Sequence, residues 1–132
     1  MRFFAFILFL LASPALAADD WKATAKEGDY IARNFEFRSG EKLDELRLHY
    51  TTLGNPKRDK DGHVTNAIKV LHGAGGSGHQ FYRSQFAEIL VTKGGRLDPA
   101  KYYIILPDGV GHGKSSKPSD GLHAKFPNYG KR

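Results

Sequence analysis

Apolar and polar residues change rhythm several times along the chain, and each rhythm predicts an element. Residues 30–38 alternate, with Phe35 and Phe37 on one side and Asn34, Glu36 and Arg38 on the other. A period of two is that of a half-buried strand. Ser39-Gly40-Glu41 reads as a turn, and alternation resumes over residues 46–52, with Leu46, Leu48 and Tyr50 in phase. Two alternating strands this close in sequence predict an antiparallel pair at a sheet edge. Residues 54–65 form a polar loop punctuated by Asn55-Pro56 and Asp61-Gly62.

The rhythm then changes to short apolar runs that stop at glycine. Residues 67–71 form a mostly apolar strand that ends in His72-Gly73-Ala74-Gly75-Gly76-Ser77-Gly78. Residues 80–91 show a helical period carried by Phe81, Phe86 and Leu90, with Ala87 and Ile89 close by, and Gly94-Gly95 ends it. The strand over residues 102–106 is the most apolar stretch after the N-terminal segment, and it runs into Pro107-Asp108-Gly109-Val110-Gly111-His112-Gly113-Lys114-Ser115-Ser116. Two such strands with a helix between them make a βαβ unit. Both glycine loops then fall at the carboxyl ends of parallel strands, where open α/β sheets hold their chemistry. Residues 117–121 read as irregular chain, and no element is predicted over residues 122–132. No internal repeat or low-complexity segment interrupts this organisation.

The first segment stands outside the fold. Met1-Arg2 gives a positive start, residues 3–12 are apolar and uncharged, and Ala15-Leu16-Ala17 is a small-x-small cleavage site before Ala18-Asp19-Asp20. This predicts a secretory signal peptide over residues 1–17 and an exported protein, periplasmic or secreted, with the domain over residues 18–132. The apolar run is too short to span a bilayer, so no stable membrane anchor is expected after cleavage. The chain has no cysteine, which excludes thiol chemistry, disulfides, Fe–S clusters and Cys-zinc sites. The formal charge is +6, but the Lys57-Arg58-Lys60 cluster is interrupted by Asp59 and Asp61 and lacks interleaved aromatics. Solvated loop lysines are expected, with no nucleic-acid partner.

Several chemistries could use glycine loops. Gly113-Lys114-Ser115 matches the end of a phosphate loop, but Asp108 stands at its first glycine position and Pro118 interrupts the helix that would follow. The dinucleotide fingerprint fails because the third glycine of Gly109-Val110-Gly111-His112-Gly113 comes one residue early. His72, His79, His112 and His123 lack the helical spacing and flanking carboxylate of a zinc site, so no metal and no cofactor are expected. An oxyanion loop fits best. Tetrahedral intermediates of acyl transfer need backbone N–H donors about 3 Å from the developing charge. A His-Gly-x-Gly-Gly segment directly after a strand can present them, which makes Ala74, with Gly75 beside it, the candidate donor pair. The alternative is a tight strand-to-helix turn with no catalytic duty. His72, Gly73, Asp108, Gly111 and Gly113 are assigned to shaping the two loops.

These residues resemble the α/β-hydrolase superfamily. The segment from Asp108 through Gly111, Gly113 and Ser115 or Ser116 to Pro118 is similar to the D-x-x-G-x-G-x-S-x-x-P loop after that superfamily's fourth strand. More narrowly, residues 37–54 and Asn66-Ala67 resemble homoserine O-acetyltransferase-like members, and the likeness covers residues 29–129. The resemblance implies an α/β fold: the N-terminal part of an α/β-hydrolase sheet, an antiparallel strand pair followed by a parallel βαβ unit, incomplete. It implies the strand order 1-2-4-3, with the third strand beside a fifth that this sequence does not contain. The activity implied is acyl transfer to water through a serine acyl-enzyme, acting on a small-molecule ester or other acyl substrate. Export argues against acetyl-CoA as donor, so hydrolysis is expected ahead of transfer to a hydroxyl acceptor, and a non-catalytic binding module is the reading from another class.

One departure stands out. The superfamily's nucleophile sits on G-x-S-x-G, followed by an acid and a histidine. This sequence has no G-x-S-x-G; Ser77, between Gly75-Gly76 and Gly78-His79, breaks the pattern. The expectation is an inactive N-terminal portion that lacks nucleophile, acid and base, marginally stable because an apolar strand edge is left uncovered. The sequence assigns neither substrate nor oligomeric state.

Overall fold

Alternation in the first third of the domain builds a long hairpin. In the computed structural model, which describes residues 21–130, β1 (Lys26–Glu36) and β2 (Lys42–Leu53) pair antiparallel from Lys26 opposite Thr52 to Glu36 opposite Lys42. The predicted signal peptide lies outside the described residues. The turn is closed by the Phe37 N–H donating to Glu41 O and the Gly40 N–H donating to Phe37 O, both at 2.8 Å. β1 starts earlier than its alternation predicts, because β2 continues to Leu53 and its backbone groups need partners along their whole length. The pairing passes over Asn34, whose φ of 51° is a left-handed conformation that asparagine tolerates.

The rest of the sheet follows from the glycine-stopped strands. β3 (Ala67–Lys69) pairs parallel with β4 (Tyr103–Pro107), Ile68 lying opposite Ile104. β4 also pairs antiparallel with the end of β2, Leu53 opposite Ile104. The order is β1-β2-β4-β3, an antiparallel pair followed by a parallel βαβ unit with α1 (Ser84–Leu90) as the crossover helix. This is the α/β architecture that the sequence predicts, in the strand order that the resemblance implies.

Two elements depart from expectation. β3 is shorter than residues 67–71: Val70 still donates its N–H to Ile105 O at 2.9 Å, but Leu71 is 66% exposed and the chain has left the ladder. The predicted helix over residues 80–91 is broken at Arg83, whose extended backbone separates a 3-10 turn (Gly78–Tyr82) from α1. The break has a packing reason. Residues five apart on an α-helix do not face each other, yet Phe81 and Phe86 meet with ring centroids 4.7 Å apart. Leaving the helix at Arg83 lets both rings enter the same core.

That core lies where α1 covers the sheet. Leu53, Phe81, Ala87, Val91, Ile104 and Leu106 are buried together, with Val70, Phe86, Leu90 and Leu97 packed around them. Ile104 is fully buried and lies between β2 and β3. Below α1, the Asp98 carboxylate fixes the approach to β4 by accepting the Gly94 N–H at 2.7 Å and the Ala100 N–H at 2.9 Å. From residue 118 onward the chain makes only short 3-10 turns (Pro118–Asp120 and His123–Lys125), and Phe126 packs edge-on against Phe37.

Ile104→Ala is expected to cost about 2–5 kcal/mol, because a fully buried residue at the sheet centre leaves a cavity its neighbours cannot fill. The readout is a lower urea midpoint at unchanged slope. The bond from the Gly94 N–H, and then that from Ala100, hold the Asp98 carboxyl below the usual aspartate range. A carboxyl lowered in the folded state stabilises it above the ordinary pKa of about 4 and loses that contribution as pH falls through the lowered value. The gap in unfolding free energy between the wild type and Asp98→Asn is therefore expected to stay constant near neutral pH. Below about pH 4 it should shrink, as denaturant titrations over a pH series would measure.

Candidate functional site

β4 runs out before β2 does. It pairs with residues 50–53 of β2, so the N–H groups of Arg47 and His49, further along the same edge, need other acceptors. The second glycine loop supplies them. Ser115 Oγ accepts the His49 N–H at 2.8 Å, and Ser116 Oγ accepts the Arg47 N–H at 2.9 Å. The return bonds run from the Asp108 N–H to His49 O and from the Ser116 N–H to Arg47 O. Ser115 is fully buried and gives its hydroxyl proton to Asp108 O at 2.8 Å.

Asp108 then ties this loop to the first one. Its carboxylate is buried, Oδ1 accepting the Gly78 N–H at 2.7 Å and Oδ2 accepting the Lys114 N–H at 2.8 Å. Gly113 lies against the same carboxylate with a φ of 51°, and a Cβ there would come within 2.0 Å of Oδ2. Gly111 donates its N–H to Ser116 O at 2.9 Å and closes the loop on itself.

A second tie comes from the other side. His72 Nε2 accepts the Gly109 N–H at 2.9 Å, and Nδ1 lies 2.8 Å from Gly73 O. A nitrogen that accepts carries no proton, so this geometry requires the neutral ring protonated at Nδ1. The His72 ring meets His112 edge-on at 5.1 Å.

The first loop itself is a β-turn. The Gly76 N–H donates to Gly73 O at 3.2 Å, leaving Ala74 and Gly75 as the central residues. Gly75 has the φ of 77° that the second central position of a type II turn requires. Central N–H groups of a turn take no part in the closing bond. Among the described residues, those of Ala74 and Gly75 donate to no acceptor, and both residues are exposed.

Ala74 and Gly75 line an open cleft of about 790 Å³ together with Gly111, His112 and Gly113 of the second loop. Arg83, His79 and His112 line it, and among the described residues no Asp or Glu does. Ser77 lies in the same cleft, whereas His123 sits apart on an exposed 3-10 turn.

Sequence reasoning missed a second cleft, of about 480 Å³, on the far side of Gly113. There the buried His49 ring holds Asp29 Oδ1 at 2.7 Å through Nδ1, and its Nε2 lies 3.7 Å from Glu27 Oε2. Lys114 Nζ bonds the same Glu27 oxygen, and that bond and charge hold the Glu27 carboxyl below the usual glutamate range. The signal was the hairpin register, which puts Asp29 opposite His49. Arg83 and Gln80 were also missed as cleft residues, since a continuous helix hides the break that turns them toward the loops. Elsewhere Asp59, Asp61 and His63 converge on an exposed loop, where Asp59 Oδ1 accepts the N–H groups of both others.

No family model matches the chain. A curated protein of Methanothermobacter thermautotrophicus described as a probable acyltransferase is 33% identical over 96 residues, which is 72% of this chain and 28% of that protein. A homoserine O-acetyltransferase from Staphylococcus aureus superposes with a TM-score of 0.59 at 27% identity, covering 79% of this chain and 30% of the other. An acetylester hydrolase from Corynebacterium glutamicum gives a TM-score of 0.64 at 25% identity, covering 78% and 28%. Together with the strand order and the two loops, these likenesses define the class: the chain has part of the α/β-hydrolase fold and resembles homoserine O-acetyltransferase and acetylester hydrolase members of it. It spans less than a third of the length of these relatives.

The serines that end the second loop should separate in their effects. Ser115→Ala strands a buried His49 N–H and is expected to cost about 1–3 kcal/mol. Ser116→Ala removes a bond from a less buried position and is expected to cost less than about 1 kcal/mol. Equilibrium urea unfolding of the two variants measures the difference.

Proposed function

We propose that this chain forms the oxyanion-stabilising side of an exported serine hydrolase that acts on small esters or related acyl compounds. The observation that carries the proposal is the Gly73–Gly76 turn: its two central residues, whose N–H groups have no acceptor among the described residues, line a cleft in which no described Asp or Glu takes part. A carbonyl oxygen seated against Ala74 and Gly75 would meet both donors as it acquires charge, and fixed backbone dipoles need no reorganisation at that moment. Arg83 adds positive potential to the same cleft. Asp108, Gly111 and Gly113 hold the facing loop in place and take no part in bond making.

The reaction needs a serine nucleophile, a histidine base and an acid, and these 132 residues contain no G-x-S-x-G on which to place the first. We assign all three to sequence outside these residues and expect the 132-residue chain alone to be inactive. The signal peptide predicted over residues 1–17 favours water over a hydroxyl acceptor, since acetyl-CoA is a cytoplasmic donor. Transfer to a hydroxyl acceptor is the second reading, favoured by the names of the probable acyltransferase and the homoserine O-acetyltransferase that this chain resembles. Dependence of turnover on an acyl-CoA donor separates the two.

The DNA beyond codon 132, read in all three frames, is the first test. An apolar strand followed by G-x-S-x-G supports the proposal; no such coding sequence in any frame leaves a chain without a nucleophile and withdraws it. In the protein that carries the nucleophile, Ala74→Pro deletes one N–H at a turn position that suits proline. It is expected to lower kcat about 10²–10³-fold with little change in KM.

A further inference from the structure

We propose that the outer edge of β1 pairs with the same edge of a second copy of this chain, antiparallel and centred on Ile31. β1 ends the sheet, and among the described residues its outer edge has no neighbouring strand. An edge of eleven residues is long for one left open, and such edges are ordinarily blunted by short length, proline, bulges or charged side chains. This one is long and has no proline; its five charges are of both signs, so they can complement those of a second copy as well as repel them. Between them Tyr30 is 62% exposed, with Ile31 and Phe35 at 37% and 36%.

The order of the charges selects the partner. A twofold axis perpendicular to the sheet brings one residue opposite its own copy, and that residue defines the register. With Ile31 on the axis, Lys26 faces Glu36 of the second copy and Asp29 faces Arg33, each twice, and no like charges meet; within its own copy Asp29 also bonds His49, and Arg33 and Glu36 pair with Glu45 and Lys42. With Tyr30 on the axis only Glu27 and Arg33 attract, and with Ala32 there no charged pair forms. With Asp29 or Arg33 on the axis, like charges face each other. Directly opposed unlike charges stabilise antiparallel pairs and like charges oppose them. The favoured register also sets the left-handed Asn34 against Gly28, the one residue of β1 with no side chain to obstruct a kinked neighbour. The cross-strand pairs share a face, so the two sheets would continue as one.

The test is sedimentation equilibrium of the full chain over a concentration series, with a charge exchange at the outermost pair. Lys26 and Glu36 are exposed, and the Glu36 pairing with Lys42 is a surface ion pair, so neither substitution touches the core. The wild type is expected to associate to a dimer. Lys26→Glu and Glu36→Lys, each of which sets like charges opposite one another, should weaken the dimer about tenfold or more. The combined K26E/E36K variant should restore it, and circular dichroism should show all four proteins equally folded. A wild type monomeric at every concentration overturns the proposal. So does association that the single variants leave unchanged, or a double variant no tighter than the singles.

Discussion

The arrangement of both glycine loops depends on one buried carboxylate. Asp108 closes β4, and its two oxygens take the N–H of Gly78 from the first loop and of Lys114 from the second. A buried ionised group is costly unless hydrogen-bonded, and a carboxylate that accepts two backbone N–H groups meets that requirement while fixing both donors in space. The constraint propagates outward. Gly113 must be glycine-like because the carboxylate fills the space a Cβ would take. Ser115 must be small and buried because it bridges Asp108 O to the His49 N–H. The length mismatch between β2 and β4 is what makes this bridge necessary.

The sequence made the strands legible because those signals are local, whereas their order followed from the resemblance to the α/β-hydrolase superfamily. Alternation at residues 30–38 and 46–52 marks the hairpin, and apolar runs that stop at His72-Gly73 and Pro107-Asp108 mark the parallel pair. What it concealed depends on register and on lengths that differ between neighbours. Asp29 and His49 are twenty residues apart in sequence and become one hydrogen-bonded pair only through the hairpin register. The roles of Ser115 and Ser116 arise because β4 stops short of Arg47 and His49, which no local pattern records. The helical period over residues 80–91 hides a break for a related reason. Phe81, Phe86 and Leu90 fit a helical period closely enough, but packing both phenylalanine rings into one core requires the break at Arg83.

The position of Asp108 also answers an electrostatic objection to an oxyanion site here. A carboxylate beside a loop meant to receive negative charge would oppose its function if that carboxylate faced the cleft. It does not line the cleft; its oxygens are directed at the Gly78 and Lys114 amides and its side chain is buried behind the loops. His72 acts in the same sense, taking the Gly109 N–H on a neutral ring nitrogen. The amides of Gly76, Gly78, Gly109, Gly111 and Lys114 are committed to holding the loops together. Among the described residues those of Ala74 and Gly75, like those of Ser77 and Gly113 in the same cleft, donate to no acceptor. Exposed central amides bond water in any β-turn, so the free donors alone do not separate an oxyanion loop from a connecting turn; what favours the proposed oxyanion role is that, among the described residues, no Asp or Glu lines the cleft beside them.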